Sequence, residues 1–130
     1  MLTIKTVFVA LATPNLIVMT AFYRQLLGQE PANQIPQVYA EFLLDGMRLG
    51  LFVPSRENPE FQQPMPGRLS LCLEVADLEV AIAAVQQAYA AIDPAGSQTR
   101  PLGDIKTASH GREIYAYDPD GNRIILHEGT

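Results

Sequence analysis

The sequence predicts an α+β fold built twice over, and three observations carry that prediction. A strand–helix–hairpin pattern occurs twice, with the helix-starting residues Asn15 and Asp77 at an offset of 77 − 15 = 62 residues. Self-similarity on this scale outranks any single local reading. Several strand-like runs alternate between an all-apolar parity and a mixed one, as strands with one covered face do. The third observation is the stretch from Tyr115 to Glu128, which reads as strand, tight turn, strand. In its Asp118-Pro119-Asp120-Gly121-Asn122 centre, Pro119 presets the φ of a first central turn residue and Gly121 can take φ > 0 without strain. Apolar β-prone runs flank it on both sides, the pattern of a hairpin.

The elements follow in order. Thr6 to Ala12 is β-branched and apolar, a buried strand. Thr13-Pro14-Asn15 breaks it, and the Asn15 side chain suits a helix N-cap. Leu16 to Leu27 has helical spacing, with Leu16, Met19, Tyr23 and Leu26 on one stripe, and Gly28 is placed to end it. Gln29 to Gln37 reads as loop, with Pro31 and Pro36. Val38 to Leu44 and Met47 to Val53 are strands joined at Asp45-Gly46. Pro54 to Gly67 is a proline-rich linker without periodicity, and whether it is an ordered crossing or a mobile flap stays open. The pattern then restarts. Leu69 to Val75 is a strand, Asp77 a second N-cap, and Leu78, Ile82, Val85 and Tyr89 a second helical stripe ending near Ile92. Asp93 to Arg112 is a long loop with room for a short strand near Ile105, and the Glu113–Tyr117 and Arg123–Glu128 strands close the chain.

Composition excludes several classes. The 130 residues form one compact unit or two small intimate modules, and 48% apolar content is ample for a core. A net charge of −5 with few Lys/Arg clusters argues against nucleic acid and against an anionic membrane surface. No apolar run has transmembrane length, and no signal peptide is read at the N-terminus. The single cysteine, Cys72, rules out an intrachain disulfide and suits a reducing cytoplasm, the expected location.

Gly111-Arg112, the strand after it, the Asp118–Asn122 turn and the last strand together resemble the signature end of the vicinal oxygen chelate superfamily. This superfamily includes glyoxalase I, extradiol dioxygenases, fosfomycin-modifying enzymes and bleomycin-resistance proteins. With the twofold repeat, the resemblance covers nearly the whole chain. It implies a single domain over residues 1–130: module one at 1–53, the linker at 54–67, and module two at 68–130. Each module would be βαβββ, with curved mixed sheets enclosing a cavity and helices on the outer faces. Members often pair, so a homodimer is expected.

Alternation assigns the faces. The apolar parity, including Val9, Leu11, Leu49, Leu51, Leu71, Leu73, Ile114, Ala116, Ile124 and Leu126, belongs under the helices. The opposite parity supplies the candidate ligand-binding residues Phe8, Arg48, Phe52, Ser70, Glu74, Tyr115, Tyr117, Arg123, Ile125 and His127. Ala10, Gly50, Cys72 and Glu113 lie beside them. Such a mixed surface suits a small organic ligand with a polar end, though a half-wet sheet also shows polar residues on its outer face. Aromatic side chains would offer flat walls, and Arg48, Arg123 and His127 would orient an anionic or carbonyl group. His110 reads as a solvated loop histidine.

The resemblance also implies where a divalent metal would be held. Its first ligand sits seven residues before each helix-starting residue, which falls on Phe8 and Ser70. The remaining two places fall on Gly50 and Ile125. None is a strong donor for a divalent cation, so no metal and no cofactor is expected. A displaced site using His127, Cys72 and Glu74 is the weaker alternative. No nucleophile elbow or phosphate loop is present. The expected function is metal-independent binding of a small molecule in the cavity. The alternatives are a metal-independent isomerase or lyase acting on a small carbonyl compound, with Glu74, Glu113 or His127 as base, or a metal-dependent enzyme with a displaced site.

Overall fold

A computed structural model describes residues 1–61, 69–96 and 100–130. In chain order the elements are β1 (Phe8–Ala12), α1 (Leu16–Leu27), β2 (Asn33–Ile35), β3 (Tyr39–Leu44) and β4 (Met47–Phe52). A one-turn 3-10 helix at Pro59–Phe61 follows, then β5 (Ser70–Glu74), α2 (Leu78–Ile92), β6 (Lys106–Ala108), β7 (Gly111–Tyr117) and β8 (Arg123–Gly129). Two four-stranded mixed sheets result, with orders β1-β4-β3-β2 and β5-β8-β7-β6. In each, the first strand pairs in parallel with the last and the remaining pairs are antiparallel. This is the repeated βαβββ pattern expected of an α+β chain. No helix of the described residues is long and apolar enough to cross a membrane.

The helix starts form as their caps dictate. Asn15 Oδ1 accepts from Val18 N at 3.3 Å and Asp77 Oδ1 from Val80 N at 3.1 Å. Gly28 ends α1 in the left-handed conformation at φ 65°. The α2 start has a further partner: Glu128, at the far end of β8, accepts from Leu78 N at 2.7 Å. That places a carboxylate at the positive end of the helix dipole.

Three expectations need correction. The segment Gln29–Gln37 is not all loop, because it contains β2. Its three residues are exposed and show no apolar period, and the turn into β3 runs through Pro36-Gln37, with Gln37 in the left-handed region at φ 66°. A glutamine there gives none of the glycine or asparagine signal by which a hairpin is recognised. The first strand starts at Phe8 rather than Thr6. The sheets also do not close around a shared cavity. The two helices lie against each other, with Phe22 and Tyr89 stacked at a ring-centroid distance of 5.7 Å. Of the expected linker, residues 62–67 lie outside the described residues.

One core joins the two halves. Met19, Phe22 and Tyr23 of α1, Phe42, Leu49 and Leu51 of the first sheet, Leu78, Val85 and Ala88 of α2, and Ile114, Ala116, Ile124 and Leu126 of the second sheet are buried together. Full burial of a side chain the size of Phe22 is worth about 1.5–3 kcal/mol. The Asp118–Asn122 turn is locked into this seam. Asp118 Oδ1 accepts from the backbone of Asp120 and Asn122, and Oδ2 accepts from Tyr23 Oη at 2.7 Å. Burial pushes the Asp118 carboxyl up from its ordinary value, and the bonds from Tyr23 and Asn122 pull part of that back. The turn therefore fastens the second half to the first helix.

Candidate functional site

Each sheet covers its helix with one parity and turns the other outward. The ten predicted residues all carry the outward parity, divided between the two sheets. Phe8, Arg48 and Phe52 are on the first sheet; Ser70, Glu74, Tyr115, Tyr117, Arg123, Ile125 and His127 are on the second. The register of the second sheet arranges its seven in rows across the strands: Ser70, Arg123 and Tyr117; then Cys72, Ile125 and Tyr115; then Glu74, His127 and Glu113.

Cations gather over the tyrosines of the first two rows. Arg123 Nε donates to Ser70 Oγ at 2.8 Å, and its guanidinium carbon lies 5.0 Å from the centroid of the Tyr115 ring. Lys106 Nζ stands 3.7 Å over the same ring, and Arg100 stands 3.7 Å over Tyr117. Each contact is worth about 0.5–1 kcal/mol at an exposed site. The tyrosine faces, expected to be bare walls, are thus occupied by positive charge. Lys106 and Arg100 were not legible as site residues, since nothing in the Asp93–Arg112 stretch announced which side chains fold back over β7.

The third row is a proton chain. His127 Nδ1 bonds Glu74 Oε1, and His127 Nε2 meets His110 Nδ1 at 3.0 Å. His110 is therefore not a free loop histidine: the tight turn between β6 and β7 returns its ring onto β8. With the Nδ1 hydrogen toward Glu74, the Nε2 of His127 is the acceptor toward His110. Between the rows, burial raises the Cys72 thiol above its ordinary pKa, and the charges of Glu74 and Glu113 add to this. It is a thiol rather than a reactive thiolate.

The first sheet differs. Glu41, on β3, is only 7% exposed. It accepts from Asn33 Nδ2 and from Tyr39 Oη, both at 2.9 Å, and Arg48 Nη1 is 3.7 Å away. The bonds from Asn33 and then Tyr39 lower its carboxyl pKa. The tyrosine ring lies over Gly50: a Cβ added there would come within 2.8 Å of Tyr39 Oη. Phe52 meets Phe61 edge to face, with ring centroids 5.3 Å apart. Sequence reasoning missed Glu41 and Tyr39, although a lone carboxylate in the apolar run Val38–Leu44 was a usable signal.

The four metal-implied positions do not fit a divalent ion. Phe8 and Ile125 present hydrocarbon, Gly50 presents no side chain and is roofed by a phenol, and Ser70 is bonded to Arg123. Elsewhere, Asp77, Glu79 and Glu128 offer oxygens within 4.8 Å of one another. The Arg112 guanidinium sits among them, with Glu79 at 2.9 Å and Glu128 at 3.0 Å. That group reads as an ion-paired helix start.

A sequence model of the Glyoxalase/Bleomycin resistance protein/Dioxygenase superfamily matches residues 5–126. Among solved structures, a glyoxalase-related enzyme from Fulvimarina pelagi superposes with a TM-score of 0.73 at 18% identity, covering 97% of this chain and 89% of that one. An antibiotic-binding protein from a Streptomyces species gives 0.70 at 20% identity, covering 100% and 99%. A lactoylglutathione lyase from Agrobacterium tumefaciens gives 0.65 at 22% identity, covering 98% and 96%. At these identities the likeness is one of fold. No curated protein matches the sequence significantly.

Proposed function

The chain belongs to the Glyoxalase/Bleomycin resistance protein/Dioxygenase superfamily, and from that membership we propose that it is a metal-independent small-molecule-binding protein whose ligand lies between outward sheet faces. The observation that carries this reading is the set Phe8, Gly50, Ser70 and Ile125, with the Tyr39 phenol where a Gly50 side chain would grow. A Lewis-acid ion would need several N, O or S donors there. An antibiotic-binding protein among the structural relatives agrees with binding as the function.

In one copy the two outward faces belong to different sheets. A walled cavity then takes the first sheet of one copy and the second sheet of another, which makes the working unit a homodimer. Exposed apolar side chains on and beside these faces support such a cover, among them Phe8 at 51%, Leu43 at 48% and Leu69 at 61% exposure. Untagged protein prepared without chelator should show well under one transition metal per chain by elemental mass spectrometry, and sedimentation should give twice the chain mass. A stoichiometric metal would overturn the metal-independent reading. Tyr115→Ala should weaken any ligand found by thermal-shift screening about tenfold, and unchanged affinity would reject this face as the site.

A second reading is favoured by the Glu74–His127–His110 chain: a general base for isomerase or lyase chemistry on a small carbonyl compound. It predicts solvent deuterium exchange into the carbon next to the carbonyl of small 2-oxo acids, lost in His127→Gln. Equal exchange by the variant would dismiss it.

A further inference from the structure

We infer that the ligand of the second sheet is an organic anion, its carboxylate, phosphate or sulfonate held among Arg100, Lys106 and Arg123, with its apolar part against Ile125. This rests on the reading of the outward faces as a binding site and names what that site selects.

The argument begins with charge pairing. The chain has 14 carboxylates and only 9 Lys and Arg residues, so a cation can find a partner easily. Arg24, Arg48 and Arg112 do, each within 4.0 Å of a glutamate. Arg100, Lys106 and Arg123 have no such ion pair among the described residues, and neither do Lys5 and Arg56; what sets the three apart is that they converge on the neighbouring rings of Tyr115 and Tyr117. Two like charges share one ring. Contact with an aromatic face steadies a cation and shields one side of it without neutralising it, so an anion from outside would be favoured where the cations converge.

Geometry agrees. Arg123 spends Nε on Ser70, and its two terminal nitrogens make no further hydrogen bond to a described residue. These are the donors that take a two-oxygen acceptor side by side. The carboxylates of this face, Glu74 and Glu113, stand in the His127 row. That is four residues along β8 from Arg123, roughly 13 Å at the rise of a strand. Lys106 is the register partner of Glu113, and its side chain reaches away from that row over the Tyr115 ring, toward the Arg123 end where no carboxylate of this face stands. Ile125 lies between the Arg123 and His127 rows as the apolar floor.

The test is amide-resolved NMR titration of the full chain with matched probes: naphthalene-2-carboxylate against naphthalene-2-carboxamide, phenyl phosphate, and inorganic phosphate. The carboxylate and phenyl phosphate should move the amides of β7 and β8 and bind about tenfold tighter than the carboxamide. Arg123→Gln should remove that margin, lowering carboxylate affinity far more than carboxamide affinity, and the exposed Lys106→Gln should halve it or more. If the carboxamide binds as tightly as the carboxylate, or neither variant alters the margin, this inference falls and the site reading stands. If inorganic phosphate binds as tightly as the organic anions, the inference also falls, because the site is then one for a free ion. If no probe moves the β7 and β8 amides, the site reading falls and the inference with it.

Discussion

The two sheets can be laid over each other by register, and the most instructive pair is Arg48 with Arg123. Each arginine opens the outward row of its strand, opposite Phe8 and Ser70 respectively. Two residues on, Gly50 pairs with Glu41 of β3, and Ile125 pairs with Tyr115 of β7. In the first sheet the arginine therefore meets a carboxylate, at 3.7 Å, and in the second it meets an aromatic ring. The small Gly50 admits the Tyr39 ring, which holds Glu41 in place. The same backbone has been given one face whose polar groups satisfy one another and one face whose cations are left to satisfy something else. On the function proposed above, one half of the repeated fold would serve as wall while the other recognises.

The wall is the easier to break. Gly50→Val drives a side chain into the Tyr39 phenol and should cost about 2–3 kcal/mol in chemical denaturation, the range of an overpacked site. In a Tyr39→Ala background the same substitution should cost much less, since the obstruction is gone. Equal costs in both backgrounds would mean that Tyr39 is not what makes glycine necessary. The equivalent residue of the second sheet, Ile125, already carries a branched side chain, and Ile125→Val should be tolerated there.

Glu41→Gln sharpens the contrast at about 1 kcal/mol, the net worth of a hydrogen-bonding partnership. Its pH dependence has a definite sign. Bonds from Asn33 and Tyr39 lower the folded pKa of Glu41. Its contribution is therefore present above the unfolded carboxylate value of ~4.3 and is lost as pH falls through the lowered folded one. The stability gap between wild type and Glu41→Gln, followed by denaturation from pH 7 to pH 3, should narrow on the acid side. A gap that widens there would contradict the bonding described. The variant also frees Arg48, turning the first face toward the character of the second.

How much of this was legible follows from which contacts are local. Caps at Asn15 and Asp77, the Gly28 stop and the Asp118–Asn122 turn are decided within a few residues, and they were readable. So was strand parity, because Leu49, Leu51, Ile124 and Leu126 form an unbroken apolar set under each helix. The stripe of α1 was read too narrowly. Phe22 lies off it yet is fully buried, because α1 is covered by α2 as well as by its own sheet. That second buried side carries no periodicity of its own. The cations over Tyr115 and Tyr117 were out of reach for the opposite reason. Arg100 and Lys106 come from a stretch with no regular period, and only the chain's return path puts them on β7.

The smallest effect tests the comparison at the helix starts. The first turn of α1 contains no acidic residue, whereas α2 begins with Glu79, which Arg112 holds beside Glu128. Hydrogen bonds from the Arg112 side chain pull the Glu79 carboxyl down to about 2. A lowered folded pKa means the pair contributes above the unfolded carboxylate value and is lost as pH falls from there through about 2. Because both partners are open to water, screening leaves little of this as stability, and Glu79→Gln should lower Tm by only about a degree or two at neutral pH. That deficit should shrink in ~0.5 M salt and vanish toward pH 2. A deficit that persists in both conditions would show that Glu79 acts through packing on α2 rather than through charge. In that case the paired Arg112 could not serve as the reference against which Arg100, Lys106 and Arg123 stand out.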